Sequence, residues 1–348
     1  MAFNDEMSTQ IFSVSESAIL KAANHLKSGA LVAFPTETVY GLGANALNGT
    51  AVARIFEAKG RPSFNPLISH VLSLEEAEQY GTFSDDARKL AHYFWPGALT
   101  MIVPRRADCD ISDLVTAGLD TIALRVPAHK VARQLLKACG FPLAAPSANA
   151  SGEVSPTAPA HVTDSLKDKV EFILAAGSCQ IGLESTVIDM STEQPAILRP
   201  GSITPEDIAN ILGRKVELAI ECAAHTARDG KNENTRSAPK SPGQLLKHYA
   251  PSRPVRLNAI DLRPDEALLA FGSDKFMGIQ GGGSAQNLPD TARKNLSETG
   301  DLYEAASNLF SMLRALDRPE HKGVAVMAVP DVGIGIAIND RLRRAAQG

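Results

Sequence analysis

Apolar residues recur at helical spacing from Ser15 to Gly29 and then run unbroken through Leu31-Val32-Ala33-Phe34, stopped by Pro35. The pattern predicts a helix feeding a buried strand. A second helix is predicted over Ala51 to Ala58, then a polar loop from Lys59 to Asn65 and a strand around Leu67 to Val71. Helical spacing returns over Leu74 to Tyr80, Asp85 to Phe94 and Lys130 to Ala138, while Leu99 to Pro104, Thr121 to Val126 and Phe141 to Pro146 read as strands. Short strands mixed with helices imply an α/β or α+β layered domain built on one sheet. Between Cys222 and Ser252 large apolar side chains thin out and polar, Gly and Pro residues crowd in, as linkers do. The pattern then restarts, with strands at Val255 to Ile260, Leu268 to Phe271 and Gly323 to Val329, and helices at Leu302 to Leu316 and Ile336 to Ala346. The expected division is 13–200, a linker over 201–252, and a smaller α/β domain over 253–348.

Composition narrows the functional classes. The 348 residues carry 35 Lys plus Arg against 39 Asp plus Glu, net −4, so no overall basic field advertises nucleic acid or an anionic membrane. Any phosphate site must be local. Cys109, Cys139, Cys179 and Cys222 lack the paired short spacing of zinc or thioredoxin-like motifs and read as free thiols in a reducing cytosol. The first residues have neither a basic region nor an apolar core of the secretory type, and the stretch 323–338 is broken by Pro330 and Asp331. A cytoplasmic protein without a membrane span is expected.

The densest chemistry lies between Phe34 and His70. Pro35-Thr36-Glu37-Thr38-Val39-Tyr40-Gly41-Leu42-Gly43 places hydroxyls, a carboxylate and a phenol directly after an apolar strand. Its glycines are not spaced G-x-G-x-x-G and no Walker lysine follows, so dinucleotide and P-loop readings fail. Lys59-Gly60-Arg61-Pro62-Ser63-Phe64-Asn65-Pro66 offers two cations and an amide on a loop stiffened by prolines, a combination that suits a polyphosphate. Taken alone, a K-x-R is most often a solvated surface pair. His70 ends a predicted strand, and a lone histidine there is more often packed core than catalyst. Thr121, Ala123 and Arg125 share one strand face, where the arginine must be paired with a carboxylate or bind an anion. Pro146-Ser147-Ala148-Asn149 to Ser155-Pro156-Thr157, Leu183-Glu184-Ser185-Thr186 and Leu198-Arg199-Pro200-Gly201 add hydroxyls and another cation. No G-x-S-x-G, C-x-x-C or H-E-x-x-H occurs. The remaining set fits positioning and electrostatic stabilisation of phosphoryl or adenylyl chemistry better than covalent catalysis.

Together with Ser241-Pro242-Gly243 and His248-Tyr249-Ala250-Pro251, these segments resemble the threonylcarbamoyl-AMP synthase family in its long, two-domain form. The resemblance covers nearly the whole chain. It implies a YrdC-like twisted mixed sheet with helices around a cationic cavity, followed by a smaller Rossmann-like α/β domain. The implied reaction condenses L-threonine, bicarbonate and ATP, with Mg2+, into L-threonylcarbamoyladenylate and pyrophosphate. The product would pass to a tRNA threonylcarbamoyl-transferase complex for modification of the adenosine beside the anticodon, with tRNA contact as a further option. By the resemblance, Thr38, His70, Arg125, Ala145 and Ser185 would surround threonine. Arg61, Asn65, Thr121, Ser147, Ser155, Arg199 and Tyr249 would hold ATP, and Lys59 with Arg61 would stabilise charge at the phosphates. No residue is implied as a metal ligand. Because Tyr249 falls in the linker, the linker is expected to fold over bound nucleotide as a lid. Its Gln244-Leu245-Leu246-Lys247 stretch is more apolar than the basic and aromatic segment of the family. Two alternatives compete: a carbamoyl-adenylate-forming carbamoyltransferase, whose zinc-finger cysteine pairs are missing here, and a double-stranded-RNA-binding module. The latter needs a local basic cavity, since residues 13–200 hold 16 Lys plus Arg against 19 Asp plus Glu.

Overall fold

The computed structural model of the chain describes residues 9–219, 248–273 and 288–348. The strands are β1 (Gln10–Ser13), β2 (Val32–Phe34), β3 (Gly41–Asn45), β4 (Ile68–His70), β5 (Leu99–Pro104), β6 (Thr121–Arg125), β7 (Leu143–Ala144), β8 (Phe172–Ala175), β9 (Thr186–Asp189), β10 (Ala196–Arg199), β11 (Glu217–Leu218), β12 (Val255–Arg256), β13 (Glu266–Ala270), β14 (Arg293–Asn295) and β15 (Gly323–Val326). The α-helices among the described residues are α1 (Glu16–Lys27), α2 (Gly49–Lys59), α3 (Leu74–Ala77), α4 (Asp85–Phe94), α5 (Asp113–Thr116), α6 (Lys130–Cys139), α7 (Pro159–Leu166), α8 (Pro205–Leu212), α9 (Leu302–Leu316) and α10 (Gly335–Ala345).

Strands β1 to β11 form one mixed sheet in the order β1-β8-β2-β3-β7-β4-β6-β5-β9-β10-β11. Helices α1 and α6 pack together in one apolar layer with Val32, Phe34 and Phe172. The larger core, in which Leu42, Val52, Ile55, Leu90 and Met101 meet, is a separate layer. Local sequence explains the entry: Ser15 accepts the Ala18 N–H at 3.1 Å as N-cap of α1, which buries Ala18, Ile19, Ala22 and Leu26. The smaller sheet is wholly parallel, β12-β15-β13-β14, covered by α9 and α10. Asp301 caps α9 by accepting from Tyr303 and Glu304, and the helix buries Ala305, Leu309, Phe310, Leu313 and Leu316.

Among the differences from the sequence reading, two shape the first domain. The Gly41 to Asn45 stretch, for which the sequence pattern predicts no strand, is strand β3, antiparallel to β2. Its glycine has a packing reason: a Cβ on Gly43 would meet the Phe34 ring at 2.8 Å. The segment 201–219, read as the start of the linker, folds with the first domain. Thr204 and Asp207 form a capping box ahead of α8, Pro205 opens that helix, α8 packs on α4, and β11 extends the sheet beside β10. Those cap signals overrode a segment that reads as weakly apolar. Cys222, Ser241-Pro242-Gly243 and the Gln244 to Lys247 stretch lie outside the described residues. Among the described residues, no helix is long and apolar enough to cross a membrane.

The two domains share a core. Val39, Val154, Leu183 and Tyr249 are buried with Leu309, Phe310 and Leu313 of α9 and with Ile338 and Leu342 of α10. That shared layer sits directly behind the candidate site.

Candidate active site

Pro35 ends β2, and the chain turns through Thr36, whose hydroxyl accepts the Thr38 and Val39 N–H groups at 3.2 Å each and donates to the Val39 carbonyl at 2.6 Å. The turn presents Thr38 to a cavity lined also by Thr36, Arg61, His70, Arg125, Ala145, Ser147, Glu184, Ser185, Arg199, His248 and Tyr249. Strand register places two of these side by side, since β4 pairs in parallel with β6 and sets His70 against Arg125. On the far side, the Ser185 hydroxyl shares a 2.7 Å hydrogen bond with Thr100 and accepts from Arg199 Nη2 at 3.1 Å.

Three arginines converge on this buried space. Arg125 Nη2 lies 2.5 Å from Glu37 Oε1, and the other Glu37 oxygen accepts from the backbone of Ala128 and His129. Burial acts to raise the Glu37 pKa, but Arg125 and these N–H groups outweigh it and hold the carboxyl below its ordinary value. Arg61 is fixed by its own loop, with Nε donating to the Asn65 carbonyl at 3.2 Å and Nη2 to the Pro66 carbonyl at 2.9 Å. Burial, with further lowering from Arg199, brings its pKa down to about 10, still cationic at neutral pH. Arg199 Nε donates to the Ser185 carbonyl. Anions entering here meet fixed donors in a medium of low polarity, where charge-assisted hydrogen bonds are strong.

His70 is buried, and burial followed by repulsion from Arg125 pushes its pKa down to about 3, so the ring is neutral at pH 7. Its Nδ1 has no hydrogen-bond partner among the described residues. The Asn65 amide is likewise orphaned at both its oxygen and its nitrogen although the residue is buried. Such groups are uncommon in folded proteins, and a ligand would satisfy them. Tyr249 is completely buried, in the left-handed region at φ +61°, stacked on Phe310 at 5.5 Å, and its hydroxyl has no hydrogen-bond partner among the described residues.

Nine of the residues named from the sequence line one cavity: Thr38, His70, Arg125, Ala145 and Ser185 together with Arg61, Ser147, Arg199 and Tyr249. Four do not. Lys59, expected as a point charge at phosphates, is a clamp: its ammonium donates to the carbonyls of Ser147 at 2.6 Å and of Asn149, holding the loop that presents Ser147. Burial and then Arg61 push its pKa well below the ordinary lysine value. Ser155 donates its hydroxyl to Glu184. Asn65 is not among the lining residues, although its carbonyl accepts from Arg61 Nε beside them. Thr121 starts β6 opposite Pro104, four residues from Arg125 and so roughly 13 Å along the strand. Sequence reasoning named no role for Glu37, Thr100 or Glu184, because each acts through a partner distant in sequence, nor for Thr36, whose partners Thr38 and Val39 are local. Arg341 of α10 was missed altogether, although it falls on the apolar stripe Ile334, Ala337, Ile338, Leu342, where a charge is a signal.

Comparison with known proteins gives this cavity its context. A family model described as telomere recombination matches residues 24–201, and one described as threonylcarbamoyl-AMP synthase, C-terminal domain, matches residues 203–347. A threonylcarbamoyl-AMP synthase of Pyrococcus abyssi is 40% identical over 341 residues, 96% of this chain and 95% of that protein. One of Bacillus subtilis is 38% identical over 355 residues, covering 99% and 96%. The chain belongs to the threonylcarbamoyl-AMP synthase family. A crystal structure of Pyrococcus abyssi Sua5 complexed with L-threonine superposes with a TM-score of 0.83 at 37% identity, covering 97% of this chain and 98% of that one. Both domains are thus those of the family's two-domain members. The structure of Escherichia coli YciO, at TM-score 0.51 and 25% identity, covers only 56% of the chain.

Proposed function

We propose that the chain is an L-threonylcarbamoyladenylate synthase, condensing L-threonine, bicarbonate and ATP with release of pyrophosphate. The observation that supports this best is the convergence of Arg61, Arg125 and Arg199 with Thr38, His70 and Ser185 in one buried cavity of a chain with full-length synthase relatives. In this reading the threonine carboxylate takes up N–H groups of Arg125, which Glu37 holds in place. Short polar groups, Thr38, His70 and Ser185, receive its amine and hydroxyl. The carbamate formed from threonine and bicarbonate with loss of water then attacks the α-phosphate through its carboxylate oxygen, and pyrophosphate leaves. Arg61 and Arg199 stabilise the charge that builds on the phosphoryl oxygens, with no covalent enzyme intermediate. His70 serves as a hydrogen-bonding group, since a ring with a pKa of about 3 is a poor proton acceptor at neutral pH. Asn65, Ser147 and Tyr249 would complete the nucleotide contacts; Thr121 would meet a more distant part of ATP.

Mg2+ belongs to this scheme as part of the Mg-ATP substrate. The described residues contain no group of three or more His, Cys, Asp or Glu fit to hold a metal, and the carboxylates at the cavity are engaged, Glu37 by Arg125 and Glu184 by Ser155 and Arg341. A resident metal therefore does not fit this donor set. The product would serve a tRNA-modifying transferase in the cytoplasm. The test is pyrophosphate release from ATP with and without L-threonine and bicarbonate. Release that requires both is expected; dependence on carbamoyl phosphate would instead favour the carbamoyltransferase, and salt-sensitive RNA binding without turnover the RNA-binding module.

A further inference from the structure

Arg341 is the most deeply buried charge contributed by the second domain, with no exposed side-chain surface. Its guanidinium reaches across the domain boundary. Nε donates to Glu184 Oε2 at 3.1 Å, and Nη1 donates to the Pro200 carbonyl at 2.7 Å and to Asp340 Oδ2 at 2.9 Å. The plane lies over the Tyr249 ring, 5.4 Å from its centre, a cation–π distance. All of these partners except Asp340 belong to the cavity or adjoin it. Glu184 and Tyr249 line it, Pro200 follows Arg199, and the second Glu184 oxygen accepts the Ser155 hydroxyl. The surroundings are tight. Gly182, at φ +75°, lies so close to α9 that a Cβ would meet the Ser307 carbonyl oxygen at 2.5 Å, and Arg314 of the same helix donates to the Val154 carbonyl, next to Ser155.

We infer that Arg341 is a positioning residue for the nucleotide half of the site, through which docking of the C-terminal domain fixes Glu184, the Pro200 carbonyl and the Tyr249 ring. The inference rests on the reading of Arg199 and Tyr249 as ATP contacts. A planar fork can satisfy a carboxylate, a carbonyl and a ring face at once; a lysine ammonium cannot. The residues on the threonine side, Thr38, His70 and Arg125, have no hydrogen bond to it. A loss of the fork should therefore separate the two substrates.

The test compares the full-length wild type with Arg341→Lys, which keeps the charge and removes the fork. Affinities for ATP and for L-threonine are measured separately by calorimetry, alongside the KM values and thermal unfolding. The expected result is ATP binding and KM weakened by about tenfold, corresponding to about 1.4 kcal/mol, with the L-threonine values changed less than about twofold. Unchanged ATP affinity in the variant would overturn the inference. So would equal weakening for both ligands in step with a lowered Tm, which is what a merely structural role predicts. Should R341K fail to fold, Glu184→Gln removes the same ion pair from the other side and must give the same split. A wild type that binds no ATP would sink the functional reading itself, and the assignment with it.

Discussion

Glu37 and Arg125 are both buried and 2.5 Å apart, and Arg125 holds the Glu37 carboxyl below its ordinary value against the opposing effect of burial. Removing one leaves an uncompensated charge away from water, which is more damaging than removing both. Glu37→Gln is accordingly expected to lower unfolding free energy by about 3 kcal/mol and to raise the KM for L-threonine. In urea titrations, the double variant with Arg125→Gln should lose clearly less than the sum of the singles, and strict additivity would refute the coupling. At this scale the sequence was legible in part. Arg125 stood out because a strand face of Thr121, Ala123 and Arg125 cannot bury a guanidinium alone, yet nothing local said that its partner lies 88 residues away. Lys59 shows the reverse case. Its residue type and loop suit phosphate, but the two carbonyls that take its ammonium are set by the fold around Ser147 and Asn149.

Among the elements, β2 and β3 decide where the cavity opens. Their antiparallel pairing brings Gly43 against Val32 and carries the Thr36 to Tyr40 turn between them. The Phe34 ring fills the space that a side chain on residue 43 would need. Gly43→Ala should force that ring aside and destabilise the domain by about 1–3 kcal/mol, read as a lower Tm, with weaker L-threonine binding because Thr38 moves with the turn. Wild-type stability would show that the ring yields freely. Helices with strong periodicity and caps, α1, α4, α6 and α9, were readable almost to their ends. The elements that escaped are short or lack alternation. Strand β3 is glycine-rich, β1 and β11 gain their pairing only from β8 and β10, and α8 declares itself through a capping box rather than an apolar run.

Over the whole molecule, acid sensitivity follows from how many titratable groups are buried in fixed states. His70 falls to about 3 and His248 well below its ordinary value, both first through burial and then through nearby cations. Between about pH 6.5 and the folded-state values the unfolded chain binds protons that the native state refuses, so stability falls as pH falls. For His70 alone the loss is about 1 kcal/mol per pH unit below 6.5. Glu37 and Glu184, held low by arginines against the opposing effect of burial, add to the loss at still lower pH. Melting curves from pH 7 to 5 should therefore show a falling Tm, and His70→Gln should flatten the slope; an unchanged slope would mean that the ring is protonated in the native state. What the sequence by itself determined is local: the periodic helices, the apolar strands, the two-domain length, and which residue types could meet an anionic substrate. What only the tertiary structure decided is pairing. Strand order, the partners of Arg125 and Lys59, and the entry of Arg341 beside Tyr249 and Glu184 depend on contacts between distant residues. The free energy of a buried charge is set by whatever neighbours the packed chain brings to it, and a local pattern does not contain those neighbours.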